Sequence, residues 1–164
     1  MATTWPGDVE RVARVLREAG IEARLEEFGE GTPTAEDAAR AAGCTLPQIV
    51  KSLVFACDDG RYALVLVPGD RRADRAKVAK EAECERAKPA SVEDVVRVTG
   101  FAVGGVAPFP LPGVQLVLME RTLLSHGVVW IGAGSPHHMA AIAPTDLARV
   151  TKARVIDAVS ENTE

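Results

Sequence analysis

Cysteine is scarce in this sequence and forms no recognisable motif. The 164 residues include three cysteines, Cys44, Cys57 and Cys84, and no two of them are spaced as a C-x-x-C pair. An odd number of cysteines without such spacing indicates neither a disulfide framework nor a zinc knuckle. Cys44 and Cys57 lie in or beside apolar segments, where cysteine usually serves as a small core residue. This usage favours a reducing, cytoplasmic location.

Long apolar runs and a secretory leader are also missing. No apolar stretch approaches the roughly 20 residues that a membrane-spanning helix needs. Residues 1–8 show no cationic region followed by an apolar one, so they do not form a secretory signal. We therefore expect a soluble protein that contacts no membrane. A hydrophobic content of 47% and a charged content of 26% are typical of a globular domain with a real core.

An excess of positive charge is absent, since the net charge is −4. A protein that binds nucleic acid through charge alone is usually basic, so DNA is not an expected partner. Any contact with RNA must come from a local patch or be helped by a partner protein. Residues 70–77 form a locally basic run that could touch phosphates, but such a run is more often a solvated helix face.

The pattern of apolar residues predicts a mixed α+β fold. We expect one domain over residues 1–164, with a core from about 9 to 157, in which helices flank a curved, partly barrel-like mixed β-sheet. The polar residues 160–164 are expected to form a frayed tail. Predicted helices cover 8–19, 34–43, 74–81, 91–100 and a short segment from 144, and predicted strands cover 21–28, 49–56, 62–67, 114–119, 128–131, 139–142 and 154–157.

Lys51 lies where a lysine is unexpected, inside the apolar run 49–56. Side chains alternate in direction along a strand, so Lys51 shares a face with Ile49, Leu53 and Phe55. An ammonium on an apolar face loses hydration unless an anionic or polar group meets it. Two explanations are open. Lys51 either reaches a rim or a structural carboxylate, or it binds a ligand.

Two glycine-rich segments are candidates for the walls of a ligand site. Residues 104–108 have the form G-x-x-x-P, in which glycine permits a close backbone approach and proline stiffens the loop. The segment 132–138 carries Gly132 and Gly134 directly after a predicted strand, and it is not a dinucleotide fingerprint. Either segment could equally be an ordinary connector, with exposed histidines in the second.

No convincing nucleophile or metal site is apparent. There is no G-x-S-x-G motif, and Ser125 and His126 are sequence neighbours that rarely face each other as nucleophile and base. His137 and His138 would point to opposite faces of a strand, so neither a metal nor another cofactor is expected. If the protein is a hydrolase, we expect water to attack directly while backbone groups stabilise the carbonyl oxygen.

The sequence resembles a known protein family in five segments taken in order: 34–39, 49–55, 62–70, 99–109 and 130–134. The family that these segments resemble is the YbaK/ProX family of aminoacyl-tRNA deacylases. The family includes the editing insertion domain of bacterial prolyl-tRNA synthetases. The resemblance extends from about residue 9 to 157. It implies a YbaK-like mixed α/β fold and hydrolysis of the ester bond in a mischarged tRNA. The implied partners are the aminoacylated 3′ end of that tRNA and possibly a tRNA synthetase.

The resemblance also implies roles for individual residues. Lys51 matches the family's functional lysine, and the loop from Gly104 to Pro108 matches the segment that holds the aminoacyl group. Some members carry a serine where this chain has Gly132, which leaves the identity of the amino acid open. The implied catalytic residues are Lys51, Gly104, Gly105 and Val106, and the implied substrate-binding residues are Ala107, Pro108, Phe109, Gly132, Ala133, Gly134, Ser135 and His137, the last as a determinant of pocket size.

Three functions remain open from the sequence. The first is a free-standing trans-editing deacylase that removes alanine, cysteine or a similar small amino acid from tRNA-Pro or a related tRNA. The second is a non-catalytic module of the same fold that binds tRNA ends or a synthetase. The third is an esterase that uses the same pocket for small molecules.

Overall fold

The computed structural model describes residues 5–29 and 31–163, and it confirms a mixed α+β fold. Short 3₁₀ segments cover Leu46–Gln48 and Arg121–Ser125. The α-helices are α1 Gly7–Glu18, α2 Ala35–Ala42, α3 Arg75–Ala82, α4 Val92–Thr99 and α5 Pro144–Thr151. The strands are β1 Arg24–Glu27, β2 Val50–Cys57, β3 Tyr62–Pro68, β4 Arg71–Ala73, β5 Ala87–Pro89, β6 Leu116–Glu120, β7 Val129–Ser135, β8 His138–Ile142, β9 Arg154–Ile156 and β10 Val159–Thr163.

The strands of the described residues form three sheets. The largest has the order β5-β2-β3-β6-β9, with antiparallel pairing around β2 and parallel pairing of β6 with both β3 and β9. A second sheet has the order β1-β8-β7, and β10 pairs with β4 in a third. A parallel bridge between Ile49 and Trp130 connects the start of β2 to β7, so the first two sheets meet beside β2.

The strands β2 and β3 form the hairpin that the sequence predicted. Each face of this hairpin packs against a different cluster of apolar side chains. Val50 and Val54 pack into the main core. Leu53 and Phe55 pack into a second cluster on the side of α3. Because both faces are covered, this hairpin is buried along most of its length, which explains its nearly continuous apolar sequence.

Side-chain caps explain where several helices begin. Thr34 accepts a hydrogen bond from the Asp37 amide at 3.0 Å, as expected for the cap of α2, and Gly43 ends this helix with a φ of 70°. Ser91 caps α4 in the same way by accepting from the Asp94 amide. These caps fix the residues at which α2 and α4 begin.

The prediction of a frayed tail from residue 160 is wrong for the residues that the structure describes. Val159–Thr163 forms β10, which pairs antiparallel with β4. Val159 is buried in the second cluster, and Arg71 donates a hydrogen bond to the Ser160 carbonyl at 2.6 Å. Polar side chains carry no burial signal, so the sequence did not indicate this strand. Residue 164 lies outside the described residues.

No helix in the described residues is both long and apolar enough to cross a membrane.

Candidate active site

A cavity of about 430 Å³ lies along one edge of β2. Its size is within the range of about 300–1,000 Å³ that is usual for small-molecule sites. The residues that line it come from six places: α2 and the segment before it, β2 with Ile49 before it, the end of β5, α4, the loop before β6, and the β7–β8 hairpin. They are Thr32, Pro33, Thr34, Ala35, Ala38, Ile49, Val50, Lys51, Ser52, Leu53, Val54, Phe55, Pro89, Ala90, Val95, Val103, Gly104, Val106, Gly132, His138 and Met139.

The cavity unites the three segments that the sequence singled out. Lys51 on β2, Gly104 and Val106 in the G-x-x-x-P loop, and Gly132 on β7 all line it. Several other members of those segments are buried and do not line the cavity. Ala107, Phe109 and Ala133 are buried in the main core. Pro108 is also buried.

Lys51 lies half-buried on β2, and its ammonium donates a hydrogen bond to the Arg71 carbonyl at 2.5 Å. The Arg71 carbonyl oxygen thus replaces part of the hydration that the Lys51 ammonium loses on an apolar strand. The interaction ties the start of β2 to β4. It leaves the lysine in the wall of the cavity rather than on a remote surface.

The two glycine segments are in direct backbone contact. The Gly134 amide donates to the Gly105 carbonyl at 3.1 Å. A Cβ at Gly105 would lie 2.7 Å from the Ser135 Cα, and a Cβ at Gly132 would lie 2.5 Å from the Val106 carbonyl oxygen. Only glycine permits main chains to approach this closely. The glycines therefore hold the two loops together as one wall.

The hydrogen bonds of the G-x-x-x-P loop decide which of its amides face a ligand. The Gly105 amide donates to the Ala102 carbonyl at 3.0 Å and closes a turn. Gly104 adopts a φ of 91°, and its neighbourhood is open except for Pro136 at 3.7 Å. The Gly105 amide is thus committed to the loop itself, and Gly104 and Val106 are the residues of this loop that line the cavity.

His138, rather than the predicted His137, lines the cavity. His137 is exposed in the turn between β7 and β8, and its ring nitrogen Nδ1 lies 3.1 Å from the Phe28 carbonyl. His138 is 5% exposed, and its Nδ1 lies 2.6 Å from Ser135 Oγ. Ser135 also accepts a hydrogen bond from the His137 amide at 3.0 Å, so it holds the turn and the buried imidazole together.

Several cavity residues were not predicted from the sequence. They include Thr32 and Pro33 before α2, Ser52 on β2, and Ala90 and Val95 near α4. Each is a common residue type in an ordinary local pattern, so no motif marks it. Ser52 could have been noticed as a second polar residue inside an apolar strand, directly after Lys51.

The cysteines have the properties of core thiols. Burial, together with the neighbouring Cys84, raises the pKa of Cys57 to about 12. Burial also raises the pKa of Cys44. A raised pKa disfavours the thiolate, so neither residue is suited to nucleophilic attack at neutral pH. In the described part of the chain, no group of three or more His, Cys, Asp or Glu residues is placed to hold a metal ion.

Comparison with known proteins shows a consistent set of similarities. A model of the aminoacyl-tRNA editing domain family matches residues 29–150. A crystal structure of a protein proposed to be a trans-editing enzyme for prolyl tRNA synthetase superposes with a TM-score of 0.87 at 33% identity. That match covers 98% of this chain and 100% of that one.

Two sequence relatives differ in how much of their length this chain covers. The uncharacterized protein YwhH of Bacillus subtilis is 28% identical over 131 residues, which is 80% of this chain and 83% of YwhH. The proline–tRNA ligase of Bacillus licheniformis is 31% identical over 113 residues, and the chain spans only 20% of that ligase. The similarity therefore extends to a small protein along most of its length and to one segment of a synthetase.

Proposed function

The chain belongs to the aminoacyl-tRNA editing domain family, and on that basis we propose that it is a trans-acting deacylase of mischarged tRNA. The observation that supports this most strongly is the single cavity that joins Lys51, Gly104, Val106 and Gly132. We further propose that residues 1–164 form one such domain. The substrate would be a small amino acid, such as alanine or cysteine, esterified to tRNA-Pro or a related tRNA.

In the proposed reaction, water attacks the ester carbonyl carbon and the bond to the ribose oxygen breaks. The ribose oxygen leaves with a proton, and the products are the free amino acid and the tRNA. Lys51 supplies positive charge for the terminal adenosine or its phosphate. The Val106 amide and a ribose hydroxyl assist at the carbonyl. An aminoacyl ester is already reactive, so positioning and modest charge stabilisation suffice.

The walls of the cavity support a small amino acid. Gly132 lies against the Val106 carbonyl without room for a Cβ, and Val95, Val103 and Met139 contribute apolar side chains to the lining of the cavity. Such a pocket favours a short apolar or thiol side chain over a long or charged one. One extra methylene in a tight apolar pocket is worth about 1–3 kcal/mol in discrimination.

A deacylation panel tests the proposal. The purified chain is mixed with alanyl-, cysteinyl-, seryl- and prolyl-tRNA-Pro, and release of the amino acid is compared with spontaneous hydrolysis. Accelerated hydrolysis of at least one small mischarged amino acid, with prolyl-tRNA-Pro spared, is the expected result. Binding of charged tRNA in a gel shift without any hydrolysis would instead identify a non-catalytic tRNA-binding module. Turnover of simple amino-acid esters at rates equal to tRNA would indicate a small-molecule esterase.

A further inference from the structure

The main chain of Ser52 points away from the hairpin and towards the other edge of β2. On the β3 side, the Cys57 amide donates to the Arg61 carbonyl at 2.8 Å, so the odd-numbered residues of β2 bond to β3. On the opposite side, the Ala90 amide donates to the Val54 carbonyl at 2.9 Å, so the even-numbered residues face β5. Hydrogen-bonding direction alternates along an antiparallel strand, so the amide and carbonyl of Ser52 face the β5 edge.

That edge has no partner strand at Ser52. Pairing with β5 covers Phe55–Cys57, and beyond Ala90 the chain turns into α4 at Val92. At the other end, the Ile49–Trp130 bridge joins β2 to β7. Among the described residues, no strand pairs with the gap between these two contacts, and Ser52 lies in the gap as part of the cavity wall.

The Ser52 hydroxyl does not fill this gap. Its oxygen is buried and forms no hydrogen bond with any other described residue. An unsatisfied buried hydroxyl costs about 1–3 kcal/mol. The position thus combines an unpaired strand edge and an unpaired side-chain oxygen within one residue of Lys51.

An α-amino ester is chemically suited to such an edge. It carries an ammonium and a carbonyl oxygen on either side of one carbon, as a residue of a strand carries its N–H and C=O. A residue on an open strand edge presents a donor and an acceptor side by side, which is how added peptide segments are recognised. The aminoacyl group can therefore pair with Ser52 as the next residue of the sheet.

We infer that the main chain of Ser52 binds the aminoacyl group of the substrate, with its N–H donating to the ester carbonyl and its C=O accepting from the α-ammonium. The inference rests on the proposed deacylase function. It supplies a donor from β2 in addition to Val106, whereas the Gly105 amide is committed to Ala102. Two donors on the carbonyl oxygen would stabilise the negative charge that develops there during attack.

The direct test is an NMR titration of the ¹⁵N-labelled full chain with 3′-alanylamino-3′-deoxyadenosine, an amide analogue that is not hydrolysed. The Ser52 amide proton is expected to shift downfield on binding. The Leu53 amide, which faces β3, serves as the internal control and should move much less. An analogue with a propionyl group, which lacks the ammonium, should bind roughly 10- to 100-fold more weakly because a charged hydrogen bond is lost.

Two substitutions separate the main chain from the side chain. Ser52→Ala removes the hydroxyl and keeps the amide, so its kcat/KM measures what the side chain contributes and should fall much less than that of the proline variant. Ser52→Pro removes the amide without removing a bond to β3, a position at which strands tolerate proline. The loss of one carbonyl donor should lower kcat/KM about 10²–10³-fold. Equal loss in both variants would overturn the inference.

The outcomes distinguish this inference from the proposed function. If the analogue perturbs Gly104, Val106 and Gly132 but leaves Ser52 unmoved, the role of Ser52 is wrong and the deacylase proposal stands. If the analogue perturbs no residue of the cavity, the deacylase proposal fails and the inference fails with it. Should Ser52→Pro not fold, as judged by circular dichroism, the titration of the wild-type chain decides.

Discussion

A Cβ placed on Gly132 would lie 2.5 Å from the carbonyl oxygen of Val106, so these two residues hold the two glycine segments in main-chain contact. Both residues also line the cavity. The width of the cavity and the packing of its wall therefore depend on the same glycine.

Gly132→Ala should damage both stability and activity, because the added methyl group must push the Val106 carbonyl away. Overpacking of this kind costs about 1–3 kcal/mol. Urea denaturation measures the stability, and deacylation of alanyl-tRNA measures the activity. Gly127→Ala is the matched control, since a Cβ there meets no atom within 4 Å. A Gly132→Ala variant as stable and active as the control would show that the close contact is not maintained in solution.

His138 should matter more than its neighbour His137. His138 is buried beside Ser135 and lines the cavity, whereas His137 is exposed in the turn. His138→Asn should lower kcat/KM roughly 10- to 100-fold, since displacement of a cavity wall misplaces the substrate. His137→Asn should change it little. Steady-state deacylation kinetics check the pair, and a larger effect at position 137 would favour the role that the sequence assigned to that residue.

The strand β10 should contribute to stability through Val159. This side chain is buried in the second cluster, so Val159→Asp places a carboxylate among apolar side chains. Burial of an unpaired polar group costs several kcal/mol, and we expect a clear fall in the melting temperature. Glu161→Ala, at an exposed position of the same strand, serves as the control. Equal melting temperatures for the two variants would indicate that residues 159–163 form a frayed tail in solution, as the sequence predicted, and not a packed strand.

The stability of the protein should fall at acid pH partly through Asp94. The Arg97 guanidinium, and then the Tyr62 hydroxyl, hold the pKa of Asp94 below its ordinary value of 3.8. A carboxyl group whose pKa is lowered by folding stabilises the native state above its unfolded pKa and loses that contribution as the pH falls through its folded pKa. Asp94→Asn should therefore lower the melting temperature at pH 7, and the difference from wild type should shrink below about pH 4. A difference that stays constant with pH would contradict this assignment.

Local sequence patterns predicted the five helices and the longer strands, but not the strands β4, β5 and β10 or the way the elements meet. Strand alternation is a local property, so the sequence alone predicts that Lys51 lies on a strand among apolar residues, and the structure confirms this strand. The main chain of Ser52 has no partner strand because the pairing of β5 with β2 stops before it, where the chain turns into α4. That pairing is a contact between residues far apart in sequence. No sequence pattern near residue 52 contains this information.

The two histidines illustrate the same limit at the level of single residues. Adjacent strand residues face opposite ways, and which of them is buried depends on the register between β7 and β8. That register shifts between Gly132 and Ser135, so that Ser135 pairs with His138. Gly132 and Gly134 in this stretch lie close to the main chains of Val106 and Asp8, which are far away in sequence. The sequence predicted the turn, but which histidine is buried depends on tertiary contacts that the sequence does not reveal.

The most direct test of the proposed active site is single-turnover hydrolysis of alanyl-tRNA-Pro by the wild type, Lys51→Ala and the surface control Lys80→Ala. If Lys51 supplies charge to the bound tRNA end, its loss should lower the rate about 10²–10³-fold, as for removal of one preorganised electrostatic contact. The Lys80→Ala variant should match the wild type, and circular dichroism should show all three chains folded. Hydrolysis by folded Lys51→Ala at the wild-type rate would contradict the assignment of this cavity as the catalytic site.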